Sequence, residues 1–186
     1  MYGFVPYFQP FFETHYGVGK AIYGLVVMLS IVGLMVGSGV STMVEGFMGN
    51  KGALVMGFAF FLLGYMMLGP SPLLPWLDLG VWEAGLGMGV LLFGQAFSMV
   101  LCAPLIVKYG MAKGISMEDA AIQTATLSIT LMAIALFFGP LLGGVLAENY
   151  GAQWANTLNG VSYAAVAAFA LIVLFAIDQP SSNELL

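Results

Sequence analysis

The chain contains no arginine, four lysines, one histidine and one cysteine, and only 7% of its 186 residues are charged. A water-soluble globule carries about 25% charged residues on its surface, so lipid rather than water is the expected solvent. Without a basic cluster there is no footprint for nucleic acid and no polybasic tail for anionic lipid. A single cysteine, Cys102, excludes a disulfide framework and a CxxC metal or redox pair. No Walker loop, no HExxH and no Ser/His/Asp set occurs. An enzyme is therefore not expected, and no catalytic residue, metal site or cofactor is assigned. The first twenty residues carry Pro6, Pro10 and Glu13 but no basic n-region or small-residue cleavage site, which argues against a signal peptide.

What is present is hydrophobic length. Mean hydropathy is +1.00 and 61% of residues are hydrophobic. Uncharged runs cover 21–44, 52–77, 84–107, 120–147 and 149–177. Crossing a ~30 Å hydrocarbon core takes about 20 helical residues, and continuous rather than alternating hydrophobicity selects helix over barrel strand. The predicted fold class is therefore all-α, a polytopic membrane bundle in one domain over 1–186. Five full transmembrane helices are predicted over 21–44, 52–69, 84–107, 120–147 and 155–177. A partial helix over 1–14 precedes them, and a cytoplasmic tail over 178–186 follows.

Local signals mark the boundaries. A tight loop over 45–51 separates the first two full helices, and Pro70, Pro72 and Pro75 end the second, with Trp76 and Trp82 as interfacial anchors. Ser116 and Asp119 have capping-box spacing at the start of the helix that carries Pro140, and a short loop over 148–153 precedes the last span. Lys51, Lys108 and Lys113 fall on one side of this topology and Lys20 on the other, so the Lys51 side and the C-terminus are expected to be cytoplasmic. His15 lies beside an interfacial helix end, where a solvated or headgroup-level role is the simpler one.

Polar residues within the spans are the informative ones, because placing them against lipid costs free energy. Gln95, Ser98 and Cys102 share a helical face, as do Gln123, Thr126 and Thr130, and Asn156, Asn159 and Tyr163 repeat the pattern on the last span. Serine and threonine hydroxyls can bond their own helix carbonyls, so packing accounts for them most simply. A mid-span amide such as Gln95 has more to satisfy, and a hydrated cavity suits it as well as a helix–helix bond does. The asparagines, near a helix end, are expected to be solvated. Gly33 and Gly37 make a close-approach face, and Gly139, Pro140, Gly143 and Gly144 combine a freed carbonyl at Leu136 with room for a neighbouring backbone.

The order of spans, Leu68-Gly69-Pro70-Ser71-Pro72, and Gly139-Pro140-Leu141-Leu142-Gly143-Gly144 followed by Gly151 and Trp154 resemble a major facilitator superfamily transporter. More narrowly, the chain looks like the C-terminal half of the vesicular amine and polyamine transporter family, of drug:proton antiporter type. The resemblance implies that the partial helix is the end of helix 7 and that the full spans are helices 8 to 12. It implies partners as well: the lipid bilayer, a small-molecule solute, protons, and the six-helix N-terminal half missing from these 186 residues. Helices 7, 8, 10 and 11 of such a fold face a midplane cavity, making Ser30, Gln95, Ser98, Gln123 and Thr126 the candidate lining residues and turning helix 12 toward lipid. Glu45, Gly46, Gly49, Asn50 and Lys51 form a reduced version of the acidic-then-basic gating loop between helices 8 and 9. The aspartates of monoamine carriers are replaced by Met99 and Ile129, which points away from monoamines and toward a polyamine-like branch. The function that the resemblance implies is proton-coupled antiport of an organic cation, polyamine or drug-like solute. The alternative is a truncated or non-transporting membrane subunit that keeps the half-bundle fold; an open frame with six further spans upstream of Met1 separates the two.

Overall fold

The glycines decide how these helices meet. In the structure, a computed structural model describing residues 5–68 and 80–177, the elements are α1 (Val5–His15), α2 (Lys20–Met67), α3 (Val81–Ala112), α4 (Met117–Tyr150) and α5 (Ala152–Ile177). Four of them, α2 to α5, are long and apolar enough to cross a membrane. The proline-rich segment with Pro70, Pro72, Pro75 and Trp76, the first four residues and the stretch from Asp178 onward lie outside the described residues.

At 1.5 Å per residue, the 48 residues of α2 would reach about 70 Å if straight, more than twice a bilayer core. They do not run straight. Gly49 has φ 71° and ψ 169°, a backbone region open essentially to glycine alone, and it splits α2 into two arms, 20–48 and 50–67. The connection over 45–51 is therefore tighter than its polar composition implies, because helix continues up to Gly49 and resumes after it. The same economy joins α4 to α5: the expected loop over 148–153 contracts to Gly151, with φ 82° and ψ 156°.

Contacts fix the directions. The first arm ascends alongside α3, with Gly85 beside Val26, Gly33 on the Gly89 backbone and Gly37 on Phe93. The second arm descends along α3, with Gly57 on Phe97, Gly94 on the Phe61 backbone, Gly64 on Leu91 and Gly87 on Met67. Thus α3 sits between the two arms of a hairpin, parallel to one and antiparallel to the other. Between lipid-solvated helices there is no hydrophobic force to draw them together, so close van der Waals approach at small residues is the main source of cohesion. The seams of α3 supply it.

The remaining helices attach more lightly. The first turn of α4 is capped by Ser116, whose Oγ accepts from the Asp119 amide at 3.1 Å and donates to Asp119 Oδ2 at 2.7 Å. Gly114 (φ 86°) lets the end of α3 close on itself, with the Ile115 amide donating to the Gly110 carbonyl at 3.1 Å and the Gly114 amide to Met111 at 2.9 Å. Ala120 then meets Gly110. Every residue of α4 over 125–138 is exposed, so this helix is held near its two ends and stands clear in the middle. Despite Pro140 it remains helical to Tyr150.

Two apolar clusters divide the interior. Near α1, Phe8 and Phe12 insert among Val26, Phe61, Tyr65, Ala84, Leu91 and Ala155, with Leu146 and Ala147 of α4 packed against them. Near the hairpin, Ala53, Leu54, Phe97 and Leu101 form the second. The outer surface is apolar, with Phe47 87%, Phe137 70%, Met35 69% and Ile129 69% exposed, a covering that suits lipid and not water.

Candidate functional site

At mid-height the bundle carries a seam of neutral polar groups between α3 and α5. Gln95, Ser98 and Cys102 lie along one face of α3, as their spacing requires, in line with Leu91, which meets Gly64 of the second arm of α2. Tyr163 comes from α5. Its ring stacks on Phe61 at a centroid distance of 3.6 Å and an interplanar angle of 24°, and meets Phe58 edge-on at 6.2 Å. Its phenol neighbours Ser98 and Cys102 across the seam. Gly160 abuts Tyr65, so α5 runs antiparallel to the second arm of α2 and parallel to α3.

These groups are incompletely satisfied. Gln95 Nε2 reaches Met99 Sδ at 3.8 Å, a weak contact, while Gln95 Oε1 is buried with no hydrogen-bond partner. Ser98 Oγ lies beside the Tyr163 phenol, within its electrostatic reach but outside hydrogen-bonding geometry. Asn156 Oδ1 is buried and unpartnered as well, unlike the solvated asparagine expected near a helix end. A buried polar atom without a partner costs about 1–3 kcal/mol, so the amide oxygens of Gln95 and Asn156 each weigh against the stability of this bundle.

The other candidate residues are dispersed. Ser30 is 2% exposed, and its hydroxyl donates to the Val27 carbonyl at 2.6 Å. Gln123 and Thr126 are exposed on α4, Thr126 donating to the Ile122 carbonyl at 2.9 Å. Gln123 also borders a recess of about 130 Å³ between α3 and α4, shared with Ile106, Gly110, Ile115, Thr124 and Leu127. Pockets for drug-sized ligands begin at roughly 300 Å³, so this recess by itself is too small for one. Met99 and Ile129 are exposed, on α3 and α4 respectively.

At the hairpin, Asn50 Nδ2 donates to Glu45 Oε1 at 3.3 Å across Gly49, and Lys51 is half-buried beside them. In the Gly139-Pro140 segment, Gly143 is buried and Gly144 has open space around it. His15 stacks on Phe11 at 5.0 Å and meets Tyr16 edge-on at 4.8 Å, at the exposed end of α1. Lys51, Lys108 and Lys113 all lie at the hairpin end of the bundle, and Lys20 lies at the opposite end, as the directions of the helices require. Among the described residues no group of three His, Cys, Asp or Glu side chains comes together as a metal ion would require.

No family model, curated protein or solved structure matches the chain. Its functional reading therefore rests on the residues themselves. Sequence spacing found the α3 face and the α5 face separately. It missed their union, because the opposition of Tyr163 to Ser98 depends on a register between helices about 60 residues apart. The available signal was a Tyr on the same face as two asparagines.

Proposed function

We propose that the chain, with five full spans and one partial helix, is the C-terminal half of a secondary active transporter for a small organic solute. In the version named by the resemblance, it exchanges an organic cation or polyamine for protons. The observation that carries this reading is the Gln95 amide oxygen, buried at mid-height without a partner. An amide that served only packing would be bonded across helices, whereas one that serves a solute or its water keeps an acceptor free. Two further features support it. The middle of α4 is uncovered although it bears Thr126 and Thr130, and helices of alternating direction around a polar midplane suit one repeat of a two-repeat carrier that rocks against its mate.

Sidedness follows the lysines, with the hairpin end on the cytoplasmic face. The test is Gln95→Leu in the complete carrier, with transport measured per folded molecule after reconstitution. Turnover should fall at least tenfold while the yield of folded protein holds. Equal loss of folded protein and of activity, with turnover per molecule unchanged, would favour a purely structural amide and the non-transporting subunit.

A further inference from the structure

The recess between α3 and α4 lies near the hairpin end of the bundle, and its lining is nearly all hydrocarbon. Ile106 and Gly110 of α3, Ile115 of the turn, and Ala120 and Leu127 of α4 border about 130 Å³. The one hydroxyl there, on Thr124, donates to the Ala120 carbonyl at 2.7 Å and asks nothing of an occupant. A dry apolar cavity of about 150 Å³ takes up benzene, so this recess has room for about six carbon atoms. It is also open at the side. The residues of α4 over 125–138, which follow it toward mid-height, are all exposed, so a chain of methylenes can run on from the recess along the space beside α4.

The polar groups at its border sit at graded depths. The 34 residues of α4 span about 51 Å, so a hydrocarbon core of about 30 Å leaves about 10 Å of helix at each end. Gln123 stands about 9 Å from the start of α4 at Met117, at the edge of the hydrocarbon, where the ester groups of lipids lie. Its amide is exposed and has no hydrogen-bond partner among the described residues. An amide facing lipid needs an acceptor for its N–H groups, and an ester carbonyl is one. Lys113 caps α3 and follows Ile106 and Gly110 at seven and three residues, which continues their stripe into the headgroup layer. Of the two carboxylates in the first turn of α4, Asp119 already accepts from the Ser116 hydroxyl at 2.7 Å, and Glu118 lies half a turn around the helix from Leu127.

We propose that the α3–α4 groove is a binding site for one phospholipid of the leaflet at the hairpin end. One acyl chain fills the recess, an ester carbonyl accepts from the Gln123 amide, and the phosphate meets the Lys113 ammonium. Recess, amide and ammonium follow one another toward the membrane surface in the order in which a phospholipid carries chain, ester and phosphate. The inference goes beyond the transporter reading and does not need it. It also takes Gln123 out of the solute cavity in which the resemblance puts it.

The experiment is native mass spectrometry of the full chain, delipidated in detergent, with dioleoylphosphatidylglycerol titrated in and dioleoylglycerol as the comparison that lacks a phosphate. The phosphatidylglycerol should give one saturable adduct, bound about tenfold more tightly than dioleoylglycerol. Lys113→Gln should remove that difference, since a charge-assisted bond to phosphate accounts for a change of this size. Gln123→Leu and Thr124→Leu, the second of which fills the recess, should each weaken both lipids about tenfold. Lys108→Gln, on the opposite side of α3 from Ile106, should bind as the wild type does, which separates a placed phosphate from general attraction to lysine. A ladder of adducts that none of the variants changes, or no adduct on monodisperse wild-type protein, would overturn the site. So would a protein dimer that Thr124→Leu dissolves, which assigns the recess to a second copy, or a spermidine adduct lost in Gln123→Leu, which returns that amide to the solute. Transport in the complete carrier is read separately by the Gln95→Leu measurement, so the lipid site and the transporter reading fail independently.

Discussion

Replacing Gly94 with alanine should weaken the bundle more than any other single methyl group placed along α3. A Cβ there would stand 2.4 Å from the Phe61 amide nitrogen and 2.5 Å from the Gly57 carbonyl oxygen. Both neighbours are backbone atoms of the second arm of α2, so no side chain can swing aside. Ordinary contact begins near 3.4 Å, so the arm and α3 must separate by about 1 Å. Opening a packed interface by that much forfeits a quarter to a half of the dispersion energy of its contacts, and forced overpacking costs about 1–3 kcal/mol, here at the upper end. Cohesion between lipid-solvated helices depends on this close approach. The control is Gly39→Ala, on the first arm, where a Cβ meets nothing within 4 Å and the gain in helix propensity is up to about 1 kcal/mol. Reversible unfolding in mixed micelles, by titration with a denaturing detergent, compares the two. Equal stability of Gly94→Ala and Gly39→Ala would refute the packing of α3 inside the hairpin.

Much of this fold was legible in hydrophobic length, because a span must be long and uncharged wherever it occurs. The Ser116 cap was legible too, since its donor and acceptor are both local. The hairpin was harder to read: the composition from Glu45 to Lys51 looks like a loop of several residues, but one glycine with φ 71° turns the chain and the polar residues around it stay helical. Ser30 shows the limit for single side chains. Its place on the first arm gave no sign that the hydroxyl would be closed onto Val27. The opposition of Tyr163 to Ser98 was beyond local reading, because the close packing of α3 and α5 against the second arm sets it.

Two further outcomes follow from the geometry. With Cys102 replaced by serine, single cysteines at Asn50 and Gly114 should react with an impermeant thiol reagent from one side of sealed membranes and a cysteine at Gln153 from the other; labelling of all three from one side would contradict the helix directions. Gly49→Val places a β-branched side chain at φ 71°, which should cost about 2 kcal/mol and loosen the hairpin, read as faster proteolysis beside Asn50, whereas unchanged proteolysis and stability would show that the turn does not depend on glycine.

The central claim, half of a carrier whose solute site needs a second wall, is tested most directly by gradient-driven uptake in proteoliposomes. Labelled polyamines and an amine dye are supplied under an imposed pH gradient, once with this chain alone and once with it co-reconstituted with a six-span N-terminal half. The account predicts no uptake by the chain alone and saturable uptake of a solute when both halves are present, because a midplane site that opens alternately to two sides needs a bundle to rock against. Robust uptake by the chain alone, or none with both halves correctly inserted, would contradict it.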